Sequence, residues 1–183
     1  MMDNIDEYSK EVFEAIIDYG YVVRFYNEFR KLNLALDSDP GSAELFFKRG
    51  SLYYDNYKYE EALKDFDKAI LINSKYSSCY NSRGCLYGKM KRYEMAELDF
   101  TLAIKYSNNE SKGIYFANRS ACREDLKKYQ LSIVDLKKAA GLGHKASIKK
   151  LKRRNIKFGE YREDEKYCPA CQEKPCMCSS FNP

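Results

Sequence analysis

Apolar and small residues in the middle of the chain recur at steps of three and four, and the whole pattern recurs after 34 residues. Arg49 to Ile70 reads RGSLYYDNYKYEEALKDFDKAI, and Arg83 to Ile104 reads RGCLYGKMKRYEMAELDFTLAI. Steps of three and four gather side chains on one face of an α-helix, so each apolar run predicts an amphipathic helix. Each copy holds two such runs around a polar, tyrosine-bearing break, which predicts a helical hairpin as the repeating unit.

The period frames units at 43–76 and 77–110, and a third over 111–146 once Ser111 and Lys112 are counted as a two-residue insertion. The eighth positions are then Gly50, Gly84 and Ser120; the twentieth are Ala62, Ala96 and Ser132; the twenty-seventh are Ala69, Ala103 and Ala139. Large residues hold other fixed places: Phe46, Tyr80 and Phe116 at the fourth, Tyr59, Tyr93 and Tyr129 at the seventeenth, Phe66, Phe100 and Leu136 at the twenty-fourth. Small residues are expected where two antiparallel helices approach closely, and large ones where layers are filled. A polar recurrence accompanies them, with Arg49 and Asp65, Arg83 and Asp99, and Arg119 and Asp135 each sixteen apart. A hairpin folded near position 15 brings the members of each pair together across its two helices as a structural ion pair.

The repeat resembles the tetratricopeptide repeat, a 34-residue helix–turn–helix unit with an aromatic, Leu-Gly, Tyr, Ala, Phe and Ala signature. The resemblance covers residues 43–146 and implies an all-α fold: an α-solenoid of stacked tetratricopeptide repeats with helical caps and a short Cys-rich C-terminal tail. The chain departs from the family's pattern in two places. Position 32, usually Pro, is Ser74, Asn108 and His144, and the third copy has Arg123 where the family prefers Tyr.

Residues 1–42 keep Tyr19, Leu32, Ala35 and Pro40 at family positions, with Ile16 and Glu28 where small residues belong. This predicts a helical pair, either a degenerate repeat or a cap. DSDPGS at 37–42 is a break, with Pro40 closing one helix and Ser42 capping the next. After GLGH at 141–144, residues 147–157 are expected to form a basic capping helix, with Ile148 and Leu151 on the last repeat and lysines facing water. The segment 158–183 is read as a flexible Cys-rich tail.

Charge changes this picture little. The formal net charge is +5, and residues 145–157 contain seven basic residues and no acid, so the positive excess lies in one helix-length segment. That segment keeps open a reading as a nucleic-acid or anionic-membrane binder. The repeats lack a supporting basic stripe, so capping is preferred and nucleic acid is not the expected partner. No apolar run approaches the roughly 20 residues needed to span a bilayer, and the first residues are polar and acidic, so a cytoplasmic protein is expected. One histidine, His144, and the absence of a Gly-rich phosphate loop speak against an enzyme.

The resemblance also implies that the first helices of the repeats line a concave groove. The positions it puts there include Phe47, Lys48, Ser51 and Tyr54 in the first repeat, Asn81, Cys85 and Lys89 in the second, and Asn118 in the third. Phe47 and Tyr54 are rings that the repeat core does not need; they either anchor a partner or pack on the N-terminal segment. A protein–protein interaction scaffold holding a peptide or helix is the expected function, with a secretion-type chaperone or other adaptor as the alternative. The family's clamp for the acidic tails of heat-shock chaperones is not matched, because Phe47, Ser51, Ser82, Ile114 and Asn118 occupy its positions.

Seven cysteines divide into Cys79, Cys85 and Cys122, singly placed in the repeats, and Cys168, Cys171, Cys176 and Cys178 in the tail. Four thiolates can complete a tetrahedral zinc shell, and Cys-x2-Cys is a usual half-site. The Cys-x-Cys half is tight, so two outcomes stand: a zinc knuckle, or a reduced and unstructured tail.

Overall fold

The computed structural model describes residues 3–156, with side chains from residue 20 onward apart from Asn109. These residues form eight α-helices and, among the described residues, no strand. The chain divides into two compact units, Met1–Ser74 and Lys75–Pro183.

The first unit holds α1 (Asp3–Ser38), α2 (Ala43–Asp55) and α3 (Tyr59–Ile72). Where the sequence suggested a helical pair over 1–42, α1 is one helix of 36 residues. Before Pro40 there is no proline, and Gly20 alone costs a helix only about 1 kcal/mol relative to Ala while keeping its backbone N–H. The chain turns at Pro40, and the Ser42 side chain caps α2 by accepting from the Leu45 amide at 3.4 Å. α1 packs on α2 through Phe29 and Tyr53, whose rings meet edge to face at 5.4 Å, and Arg49 donates to Asn33 Oδ1 at 2.7 Å.

The second unit holds α4 (Ser77–Lys89), α5 (Tyr93–Tyr106), α6 (Asn109–Asp125), α7 (Tyr129–Gly141) and α8 (Lys145–Arg153), each helix packed against the next. The inserted Ser111 and Lys112 lie inside α6, which is 17 residues long against 13 for α4. The final helix starts at Lys145 and is followed by Asn155 at φ 54°, so it is shorter than the sequence suggested. Leu151 joins Leu136 and Ala140 in a buried cluster against which Ile148 and Ile156 pack.

All three hairpins turn on a non-glycine residue in the left-handed region, Tyr57, Lys91 and Lys127, at φ 58°, 58° and 59°. The next amide closes each turn: Lys58 N to Tyr53 O at 2.9 Å, Arg92 N to Tyr87 O at 2.8 Å, and Lys128 N to Arg123 O at 2.7 Å. That bond satisfies a carbonyl left open at the helix end and helps offset the roughly 1–2 kcal/mol cost of the conformation.

The small positions are where helices touch. A Cβ on Gly50 would lie 2.9 Å from the Phe66 ring, and one on Gly84 would lie 2.8 Å from the Phe100 ring. The third repeat has Leu136 in place of that ring, and there Ser120 fits, its hydroxyl 3.0 Å from that of Ser132, with both residues fully buried. The three predicted ion pairs form, each bidentate at 2.7–2.8 Å: Arg49 to Asp65, Arg83 to Asp99 and Arg119 to Asp135. All three aspartates are buried, so each pair fixes the register of its hairpin.

Candidate functional site

The first helices of the two complete hairpins in the second unit, α4 and α6, are brought side by side with polar residues along their seam. Asn118 Nδ2 donates to Asn81 Oδ1 at 2.9 Å and lies 3.8 Å from Cys85 Sγ. One turn away, the hydroxyls of Ser78 and Tyr115 are 3.4 Å apart. Asn81, Cys85 and Asn118 are half-buried, and Lys89 is exposed one turn beyond Cys85 on α4. Burial pushes the Cys85 thiol up, with Lys89 pulling the other way, which keeps this sulfur protonated near neutrality. The Asn81–Asn118 bond leaves Asn81 Nδ2 and Asn118 Oδ1 without a partner among the described residues: one donor and one acceptor.

The candidates of the first repeat all lie on α2. Phe47 is half-buried, its ring centroid 6.0 Å from that of Phe66, and Tyr54 stands 6.0 Å from Tyr59. Lys48 pairs with Glu44 at 2.6 Å, and Ser51 donates to the Phe47 carbonyl of its own helix at 2.9 Å. The α1–α2 contact runs through Tyr53 and Arg49.

Two polar networks went unforeseen. Arg123, at the position where the resemblance leads one to expect Tyr, bonds Asp135 at 2.8 Å and Glu97 at 2.7 Å, and Lys128 reaches Glu97 at 2.6 Å. Burial raises the Glu97 carboxyl, but hydrogen bonds from Lys128 and Arg123 outweigh it and hold the group below the ordinary range. Glu124 accepts from Lys150 of α8 and from Arg154 just past its end, both at 2.8 Å, and from Ser132 at 2.9 Å. The departure at Arg123 was the available signal for the first network. The second joins residues 26 and 30 apart, which no periodicity connects.

Two cations of the basic segment are thus occupied. Lys145, Lys149, Lys152 and Arg153 remain exposed without an acidic partner among the described residues. Among the described residues Cys79, Cys85 and Cys122 form no disulfide, and no cluster of metal-ligating side chains occurs. Cys168, Cys171, Cys176 and Cys178, proposed from the sequence as zinc ligands, lie outside the described residues. No described helix is long and apolar enough to cross a membrane.

Comparison with known proteins agrees with the fold of stacked helical hairpins. Family models of the tetratricopeptide repeat match residues 43–76 and 77–110. Human sperm-associated antigen 1 is 29% identical over 101 residues, which are 55% of this chain and 11% of that protein; the likeness therefore spans about a tenth of that relative. Among solved structures, MamA superposes with a TM-score of 0.61 at 18% identity, over 71% of this chain and 75% of that one. The second tetratricopeptide-repeat domain of Spaghetti (RPAP3), bound to the HSP90 peptide SRMEEVD, gives 0.52 at 27% identity, over 55% and 92%.

Proposed function

The chain belongs to the tetratricopeptide-repeat family, a fold that serves protein–protein interaction, and on that premise we propose that it holds an extended segment of a partner protein along the α4–α6 seam. The observation that carries this reading is the Asn81–Asn118 pair. A peptide unit has one N–H and one C=O, and the pair leaves one acceptor and one donor to meet them. Two half-buried amides fixed by each other at 2.9 Å present those groups without further ordering, which lowers the entropic cost of capture. Cys85 and Lys89 would border the segment held at this seam; on the first unit, taken by itself, Phe47 and Tyr54 would anchor apolar side chains of a partner, with Lys48 and Ser51 beside them on α2.

The partner is not a chaperone tail held by a full two-carboxylate clamp, since Phe47, Ser51, Ser82, Ile114 and Asn118 stand at the clamp's positions and none of them is a cation. A chaperone or adaptor role for a different segment fits the same site. No step of covalent chemistry is assigned to it.

The test is capture by the wild-type chain against the Asn81→Ala, Asn118→Ala double variant, using a partner segment selected from a peptide array. Two lost hydrogen bonds at roughly 0.5–1.5 kcal/mol each predict about five-fold to hundred-fold weaker binding with an unchanged circular dichroism spectrum. Undiminished capture would remove the seam as the binding surface.

A further inference from the structure

The α2–α3 turn carries side chains that the turn itself does not need. Tyr57, at its apex, is 80% exposed, and Tyr59 opens α3. Their ring centroids are 6.2 Å apart with the planes at 64°, and Tyr54 adds a third ring 6.0 Å from that of Tyr59 at 43°. Rings so inclined make a corner and do not stack, and the faces of an aromatic ring are its negative side.

The same stretch holds three exposed carboxylates, Asp55, Glu60 and Glu61, each within two residues of one of these tyrosines. None has an ion-pair partner among the described residues. Glu60 and Glu61 lie in the first turn of α3, where the helix dipole favours an acid. Asp55 lies at the end of α2, where the dipole disfavours one, and the last turn of α2 holds no base. Lys58, the one cation of the stretch, stands 5.7 Å from the Phe25 ring of α1.

The chain supplies its own controls. The second and third hairpins turn at φ 58° and 59° with the same closing bond, yet carry Gly88 and Glu124 in place of Tyr54, and Lys91 and Lys127 in place of Tyr57. In the second hairpin Lys89 also replaces Asp55. Neither the apical ring nor the acid is needed to make the turn, and burial does not account for a tyrosine four-fifths exposed. An open aromatic corner bordered by unpaired acids is complementary to a cation with flat, weakly hydrated faces.

We propose that this turn receives an arginine side chain of a partner protein, the guanidinium against the Tyr57 and Tyr59 rings and its N–H groups donating to the carboxylates of Asp55, Glu60 and Glu61. The aliphatic stem of the arginine lies along Tyr54. Lysine fits less well, because its ammonium is compact, strongly hydrated and cannot stack. The whole chain is net positive at +5, so it does not attract cationic segments in general, and capture depends on these local groups. The site belongs to the first unit alone and is independent of the α4–α6 seam.

The full isotope-labelled chain is titrated, in amide-resolved nuclear magnetic resonance, with the peptide acetyl-Gly-Arg-Gly-amide and with counterparts holding lysine, trimethyl-lysine or glutamine instead. The arginine peptide shifts the amides of Tyr57, Lys58, Tyr59 and Glu60, binds about two-fold to five-fold tighter than the lysine peptide, and the glutamine peptide leaves them unmoved. Tyr57→Phe keeps the affinity and Tyr57→Ala lowers it about two-fold to five-fold. The double variant Asp55→Lys, Tyr57→Lys loses binding; its fold is safeguarded because the second hairpin makes the same turn with Lys89 and Lys91, and unshifted amides elsewhere verify it. Unmoved amides with the arginine peptide overturn the proposal. So does equal binding of lysine, which would leave only the carboxylates, tighter binding of trimethyl-lysine, or undiminished binding by Tyr57→Ala. Peptide capture at Asn81 and Asn118 is a separate measurement, so the two readings fail independently.

Discussion

Replacing Gly84 by Ala tests whether the small positions of the repeat are set by contact between helices. Two effects oppose each other. In a helix Ala is favoured over Gly by about 0.8–1 kcal/mol, so an unobstructed site gains stability. At Gly84 the new Cβ meets Phe100 ring carbons at 2.8, 3.0 and 3.2 Å, inside van der Waals contact. Phe100 is buried at 4% exposure and cannot swing into solvent, so the surrounding packing must shift, at about 1–3 kcal/mol. Gly88, four residues later on the same helix, has nothing within 4 Å of its Cβ position and supplies the control. The difference between Gly84→Ala and Gly88→Ala removes most of the propensity term and leaves about 1–3 kcal/mol from the clash. In a chain of this size that separates the two melting temperatures by roughly 2–12 °C, read by far-ultraviolet circular dichroism. The third repeat suggests the rescue: Ser120 is tolerated where Leu136 replaces the ring, so Phe100→Leu should cost less in the Gly84→Ala background than alone. If Gly84→Ala proved as stable as Gly88→Ala, close helix contact would not be what the glycine serves.

Asp135 is 1% exposed and accepts from both Arg119 and Arg123, so Asp135→Ala takes the carboxylate from Arg119 and one of two carboxylates from Arg123, and should cost about 3–5 kcal/mol. Asp65→Ala, which takes the carboxylate from Arg49 alone, should cost less in thermal melts, and equal losses would show that the second arginine is not held by the carboxylate. Glu97 is held below its unfolded value of 4.5 by Lys128 and Arg123, so its contribution to stability is fully present above pH 4.5 and fades as pH falls through its lower folded value. Wild type should therefore melt above Glu97→Gln at neutral pH, with the gap narrowing in acid; a gap independent of pH would refute the assignment.

The sequence by itself determined the hairpins of the repeats and the pairing inside them. A 34-residue period with small residues at the eighth, twentieth and twenty-seventh positions is a statement about two helices in contact, because local steps of three and four fix which faces meet. The sixteen-residue spacing of Arg and Asp worked for the same reason: both members are tied to one turn, and the turn is local. Where the signal was not local, the sequence was silent or misleading. The N-terminal segment carries family residues at family positions, yet Gly20 is not a strong enough breaker to divide α1, and propensity alone could not weigh it against continuous helix. Glu124 joins Ser132, Lys150 and Arg154, and Arg123 joins Glu97 and Asp135, at separations that belong to neighbouring layers and not to any repeat period. The Asn81–Asn118 bond spans 37 residues for the same reason. Periodicity decides which face of a helix is buried. Only stacking decides which polar side chains on successive layers come within 3 Å, because that depends on how far one hairpin is shifted and turned against the next, which the repeat pattern does not encode.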